Sequence, residues 1–249
     1  MTANLGTCAD EVRVVPVDRL ELAFEPRPWP FERARRAEIE AYFAEQRRTR
    51  PELWNGRVLL LHRLALADRV FRGAYLETDF ASLLAWRDWG FPDPTIRACF
   101  GMAAVRASDG GFVLGRMNVH TANAGLIYFP CGTPDLHDVV GDTVDLGASI
   151  LRELAEETGL TANDVSVRPG WCTVIAGPRI AHIKTMQAAV PGQALRARIL
   201  SHLARDPKPE LADIYIVRSR ADFDPLMPPY VTAFLEHVWA HEQRVAAGR

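Results

Sequence analysis

Glu153, Glu156 and Glu157 fall close together in the segment Ile150–Leu160, with Arg152 directly before them and Gly159 just after. At the rotation per residue of an α-helix, Ile150, Leu151, Leu154, Ala155 and Thr158 share one arc, and the three glutamates share another. Most acidic runs are solvated helix faces. Here, however, carboxylates at i, i+3 and i, i+4 repel, and Glu156 and Glu157 occupy the last turn, where the helix dipole already disfavours anions. Arg152 is the one cation in the segment. Hard oxygen ligands crowded onto one exposed face suit Mg²⁺ or Mn²⁺, so the residues point to a divalent-metal site.

Arg152 to Leu160 resembles the core of the Nudix box, which reads Arg, Glu, apolar, any, Glu, Glu, any, Gly, apolar, and it matches at every specified position. Phe129-Pro130-Cys131-Gly132 is similar to the strand end and turn that open that box. Upstream the pattern departs: the positions where the box has Gly and Glu, fourteen and eight residues before the arginine, hold Asp138 and Val144. The loop from Gly132 to Arg152 is longer than the family's, so Gly132 is expected in the role of the first glycine. Asp142 or Asp145 is expected to replace the missing glutamate, with a helix N-cap as the alternative for Asp145.

The resemblance implies hydrolysis of a nucleoside diphosphate linked to another moiety, by water attack on phosphorus with metal assistance. It implies Glu153, Glu156 and Glu157 as ligands of Mg²⁺ (or Mn²⁺), with the carbonyl of Gly132 as a further ligand. Arg152 becomes the ion-pair partner that orients one carboxylate, and Gly159 ends the helix in the left-handed region. The general base lies outside the box in many members. Glu210, in Pro207-Lys208-Pro209-Glu210, is the candidate here, with an ordinary loop carboxylate as the equal alternative.

Segments within the first hundred residues, Ile39–Phe43, Pro51–Leu60 and Thr78–Phe80 with Leu84 and Trp86, are similar to the leading part of a Nudix branch that includes animal UDP-glucose diphosphatase. The shared pattern is mostly apolar, and it implies a fold extension more firmly than a substrate. Such an extension supplies a pocket wall or a homodimer interface. Arg72, Arg116, His120, Asn123, Arg179 and His182 are the residues suited to phosphate or base contacts, each weighed against a surface ion pair or a core histidine. The polar loop Asn118–Gly125 is the region expected to touch substrate.

The elements that must position these groups follow from periodicity and punctuation. Residues 12–24 read as one or two strands, and Phe31–Arg48 as a helix that Pro30 opens and Pro51 ends. Asn55-Gly56 reads as a hairpin turn before the run 58–61, and a second alternating run spans 64–76. Thr78 or Asp79 caps a short helix that Gly90 and two prolines end. Asp109-Gly110-Gly111 joins two strands, and Leu126–Phe129 leads into a long loop. A helix over 147–158, strands at 165–176 and 180–190, a helix over 193–205, a strand at 213–218 and a helix over 230–244 complete the chain. The class is α+β: a Nudix-type α/β/α sandwich with a mixed sheet over 96–249, and an N-terminal α/β extension over 1–95.

The 249 residues carry 29 basic and 31 acidic side chains, and 48% are hydrophobic. That balance gives ample material for a core and argues against nucleic acid or anionic membrane as a bulk-charge partner. Cys8, Cys99, Cys131 and Cys172 show neither zinc nor dithiol spacing. With no leader pattern over Met1–Arg13 and no long apolar run, a cytoplasmic enzyme with a small nucleotide substrate is expected. Coenzyme A, ADP-ribose or dinucleoside polyphosphates are the alternative substrates to a nucleotide sugar, and a non-catalytic nucleotide-binding protein is the alternative class.

Overall fold

The alternating residues Val12–Val17 form a strand, β1, whose partner lies far along the chain: Val12 faces Ala176 and Val17 faces Trp171. The computed structural model describes residues 12–247, so Cys8 and most of the stretch read for a leader lie outside the described residues. After β1 come β2 (Arg19–Phe24), α1 (Pro30–Ala34), α2 (Arg36–Thr49), β3 (Arg57–Ala67), β4 (Val70–Asp79) and α3 (Phe80–Asp88). Next are β5 (Ala98–Arg106), β6 (Phe112–Met117), β7 (Ile127–Tyr128), β8 (Val139–Val140), β9 (Thr143–Val144) and α4 (Leu146–Thr158). The chain ends through β10 (Val165–Val167), β11 (Trp171–Ala176), β12 (Arg179–Ala188), α5 (Gly192–Leu203), β13 (Leu211–Val217) and α6 (Pro229–Ala247). Among the described residues, no helix is long and apolar enough to cross a membrane.

The main sheet runs β1-β11-β12-β5-β6-β13, with β10 on β12 and β7 on β6. Its central pair, β12 and β5, is parallel, and both strands are nearly continuous in small and apolar residues, as burial on two faces demands. Gly101 of β5 faces Ile150 of α4, whereas the adjacent Phe100 meets Tyr230 of α6 at 5.7 Å between ring centroids. Neighbouring residues in a strand point to opposite faces, so α4 and α6 cover opposite sides of the sheet. This is a mixed-sheet α+β sandwich. The aromatic triad Phe112, Phe129 and Phe234 fixes the α6 side.

A second sheet, β3-β4-β2-β9-β8, packs beside α4 through Leu59, Leu61, Phe71 and Tyr75 against Cys99 and Ile180. The two sheets exchange strands across residue 95. β1 belongs to the main sheet, and the β8–β9 hairpin, from the loop after Gly132, completes the second sheet through Ala23 and Thr143. The long loop therefore has its own structure, built on Gly141 at φ 65° between β-branched pairs.

Some local expectations give way to tertiary context. Asn55-Gly56 is not a hairpin turn, because no strand precedes it; the Asn55 side chain instead accepts from the Ala81 N–H, 2.8 Å away, at the start of α3. The hairpin turn lies at Asp68-Arg69, both at positive φ (52° and 58°), inside the run expected as one strand. Asp79 is the N-cap of α3, accepting from Ser82 N–H at 2.8 Å. The first long helix is broken at Arg35.

Close approach at Gly101 sets the seat of α4: an added Cβ would lie 2.5 Å from Ile150 Cγ2. Gly101→Val should cost about 1–3 kcal/mol by overpacking, read as a lower denaturant midpoint.

Candidate active site

Asp145 starts α4 by accepting from the Ala148 N–H at 3.0 Å, so it serves as the N-cap. Gly159 ends the helix at φ 68°, its N–H bonded to the Ala155 carbonyl at 2.9 Å. Ile150 and Leu154 are buried against the main sheet, which turns the acidic arc toward the segment that leaves β7.

That segment, Phe129-Pro130-Cys131-Gly132, is tied to β5 by a bond from Ala103 N–H to the Pro130 carbonyl at 3.0 Å, and it covers part of the arc. The acidic face is therefore not uniformly exposed. Glu157 is buried at 5% exposure, the Glu153 side chain keeps 15%, and Glu156 alone is open at 62%. Glu157 Oε1 accepts from the Cys131 N–H at 3.3 Å, while its Oε2 is buried with no hydrogen-bond partner. Gly132 lies against the Glu153 carboxylate so closely that a Cβ would stand 2.4 Å from it.

This crowding shows in the electrostatics. Burial pushes the Glu153 carboxyl up to about 7; Arg152 opposes the rise, and Glu156, Glu210 and Asp138 add to it. Glu157 is also raised well above the ordinary carboxylate range, first by burial and then by the charges of Glu210 and Glu153. Three anions in this space are unfavourable without a cation.

Arg152 supplies part of the compensation. It donates to Glu153 at 2.7 Å and to Asp138 at 2.8 Å, and lies 3.6 Å from Glu156. Asp138 is the residue that sequence reasoning missed. It stands where the box pattern has glycine, yet it is buried and holds the arginine, whereas Asp142 or Asp145 is the residue expected to replace the box's missing glutamate. Asp145 is used by the cap, and Asp142 lines a groove with Arg72 and Glu21 in the second sheet. The only available signal was an unpaired acid before a β-branched hairpin, and its reach to Arg152 depends on how that hairpin docks.

Glu210 does come to the cluster: its charge is the largest Coulombic cause of the rise at Glu157. Its own pKa is raised, chiefly because the chain around it removes water, and His120 opposes that rise. The loop is held by Asn118, whose N–H donates to the Glu210 carbonyl at 2.7 Å. Arg116 lies at the strand end that carries this loop and has no ion pair among the described residues. Asn123 and Arg179 line a cavity of about 850 Å³ whose wall also includes Cys131 and Gly132. Arg72 is not brought here: it pairs with Glu21 at 2.7 Å in the second sheet. His182 is a fully buried core histidine, bonded to Thr173 at 2.8 Å and held neutral by burial, with its pKa near 3. Cys99, Cys131 and Cys172 are free thiols.

Among the described residues, no three His, Cys, Asp or Glu side chains already enclose a metal position. Arg152 engages Glu153 and Glu156 instead. Two features nevertheless fit a hard divalent cation: the unpartnered Glu157 Oε2, and the bare backbone of Gly132 against Glu153. Gly132→Ala should leave the fold intact, because the atom displaced is the end of a flexible side chain. It should lower Mg²⁺ affinity about tenfold or more, measured by calorimetric titration.

Carboxyls with raised folded pKa values bind protons that the unfolded chain has lost, so their contribution to stability falls as pH rises through the folded value. His182 acts in the opposite sense below about pH 6.5, its unfolded value. Between about pH 6.5 and 8 the carboxyl effect of Glu153 and Glu157 is left. The metal-free protein should lose melting temperature across this window, and Glu153→Gln should flatten the loss.

No family model matches the chain, and no curated protein sequence matches it. Solved structures do. A Nudix hydrolase from M. smegmatis, RenU, is 19% identical over 61% of this chain and 86% of its own, with a TM-score of 0.37. The MutT protein from Methanosarcina mazei Go1 is 18% identical over 59% and 95%, TM-score 0.38. The bifunctional NMN adenylyltransferase/ADP ribose pyrophosphatase from Francisella tularensis, complexed with AMP and a Mn ion, is 15% identical over 58% and 42%, TM-score 0.39. Each likeness takes in only part of this chain.

Proposed function

We propose that the protein is a Nudix hydrolase that uses Mg²⁺ or Mn²⁺ to cleave the pyrophosphate bond of a nucleoside diphosphate linked to another moiety. One observation carries this reading: the peptide Cys131-Gly132 is shared between the buried carboxylates of α4 and the wall of the large cavity. A ligand seated in that cavity would lie against the same peptide whose N–H binds the Glu157 carboxylate.

Glu153, Glu156 and Glu157 would hold the cation, which would supply polarisation of the phosphoryl oxygens and offset the pyrophosphate charge. Arg152, braced by Asp138, holds Glu153 in orientation and keeps the cluster from being wholly anionic. Glu210, its pKa raised by burial, accepts the proton of the attacking water on its carboxylate. Gly132 admits Glu153 to the strand end that any larger residue would close.

A nucleotide-binding protein without turnover is the second reading. The observation in its favour is that Arg152, rather than an enclosed metal position, already engages two of the three glutamates.

Turnover of UDP-glucose, ADP-ribose, coenzyme A and a dinucleoside polyphosphate with millimolar Mg²⁺, followed by released nucleoside monophosphate, separates the two readings and selects the substrate. Glu156→Gln and Glu157→Gln should each lower kcat about 100-fold or more. Glu157→Gln should also raise the metal-free melting temperature at alkaline pH, where the wild-type carboxyl must either carry a buried charge or hold a proton that the unfolded chain has lost. Full activity in both variants, or no turnover of any substrate by the unaltered protein, defeats the proposal.

A further inference from the structure

Glu210 stands on a segment with little of its own to hold it. Residues 204–208 are exposed, and Glu210, though chain surrounds part of it, is open as well. Pro207 and Pro209 have no N–H with which to brace a turn. The Lys208 ammonium lies 3.7 Å from Glu52, but both side chains are about half exposed, and such a pair contributes little. Glu210 nevertheless acts on Glu157 more than any other charge does. Something else fixes its place.

Asn118, the first residue after β6, makes the required contacts. Its backbone N–H donates to the Glu210 carbonyl at 2.7 Å, and its side-chain Nδ2 donates to the Pro209 carbonyl at 3.1 Å. One residue therefore grips two successive peptides. The amide is fixed in this sense, because Oδ1 accepts the Val119 N–H at 2.8 Å and leaves Nδ2 as the end toward Pro209. The Asn118 carbonyl in turn accepts from the Thr121 N–H at 3.1 Å and from the Thr121 hydroxyl at 2.8 Å, which stiffens the loop behind it.

A second feature lies on the other side of Glu210. β13 pairs with β6 at Leu211–Met117 and at Asp213–Arg116, so Ala212 is an extra residue without a partner. Such a bulge bends the strand and re-aims the side chains beside it. The bulge sets the direction in which the strand end leaves the sheet, and Asn118 clamps the two residues that precede Leu211.

We propose that Asn118 is a positioning residue: its side-chain amide, by holding the Pro209 carbonyl, keeps the Glu210 carboxylate at the acidic face of α4. This rests on the hydrolase reading, in which Glu210 takes the proton of the attacking water. Asn118 acts through the backbone of Glu210 and not on the substrate.

The test is a kinetic cycle of the unaltered protein, Asn118→Ala, Glu210→Gln and the double variant, at saturating Mg²⁺ with whichever of the four substrates above is turned over fastest. Asn118→Ala should lower kcat about tenfold or more while KM changes less than about twofold, because misplacing a reacting group costs rate rather than binding. In the Glu210→Gln background the same substitution should change kcat less than about twofold. General structural damage would lower both backgrounds alike. Asn118→Asp, which keeps the size of the side chain but turns an acceptor toward the Pro209 carbonyl, should repeat the loss. Hydrogen exchange at the 118 amide, followed without substrate or metal, reads the clamp directly: protection should fall about tenfold in Asn118→Ala and stay unchanged in Glu210→Gln. Unchanged kcat in Asn118→Ala, equal losses in the two backgrounds, or unchanged protection would overturn the proposal. Lost protection, with no turnover of any substrate by the unaltered protein, would count against the hydrolase reading alone.

Discussion

The contact between the Cys131 N–H and the buried Glu157 carboxylate joins elements that nothing in the local sequence brings together. The Glu153 carboxylate can lie against the strand end leaving β7 because Gly132 has no side chain, and α4 can approach β5 closely because Gly101 has none. Those two close approaches bury the Glu157 carboxyl, whose Oε2 has no hydrogen-bond partner among the described residues. Burial raises the pKa of both Glu153 and Glu157, and Arg152, paired with Asp138, opposes the rise at Glu153. An isolated acid of this kind has little value as a stabilising element, since removing charge from such a site is commonly neutral or favourable. Under the proposed function, it serves as a seat for a cation.

Periodicity made most of the fold legible. The helix over 147–158 differs from α4 by one residue at its start, and the αL end at Gly159 follows from residue type alone. The acidic trio and Arg152 were equally legible, because repulsion between near neighbours is a local property. What was not legible depends on distant docking. The acidic arc read as exposed because helical spacing cannot show that Cys131 and Gly132 lie across it. Asp138 was passed over because its reach to Arg152 is set by a hairpin that joins another sheet. Arg72 and Arg179 look alike as residue types, yet one is paired in the second sheet and the other lines a cavity with no ion pair among the described residues.

The surplus length beyond a standard domain has a physical role in this arrangement. Phe80, Leu84 and Phe91 form cavity wall, and β2 and β4 supply the frame on which the β8–β9 hairpin docks. That hairpin begins just after Asp138, so the second sheet and the orientation of Arg152 are mechanically connected.

The pairing of β1 with β11 also has a bearing on synthesis. Residues 12–17 leave the ribosome early, but their partner strand, 171–176, is made roughly 160 residues later, on the order of 10 s at ordinary elongation rates. During that interval an apolar, β-branched segment is an open sheet edge of the kind that invites wrong pairing. The loop to be closed is long, and the contact is among the most non-local in the chain, which favours slow completion of the main sheet. In the cell, β1 then stays unpaired until β11 has been made.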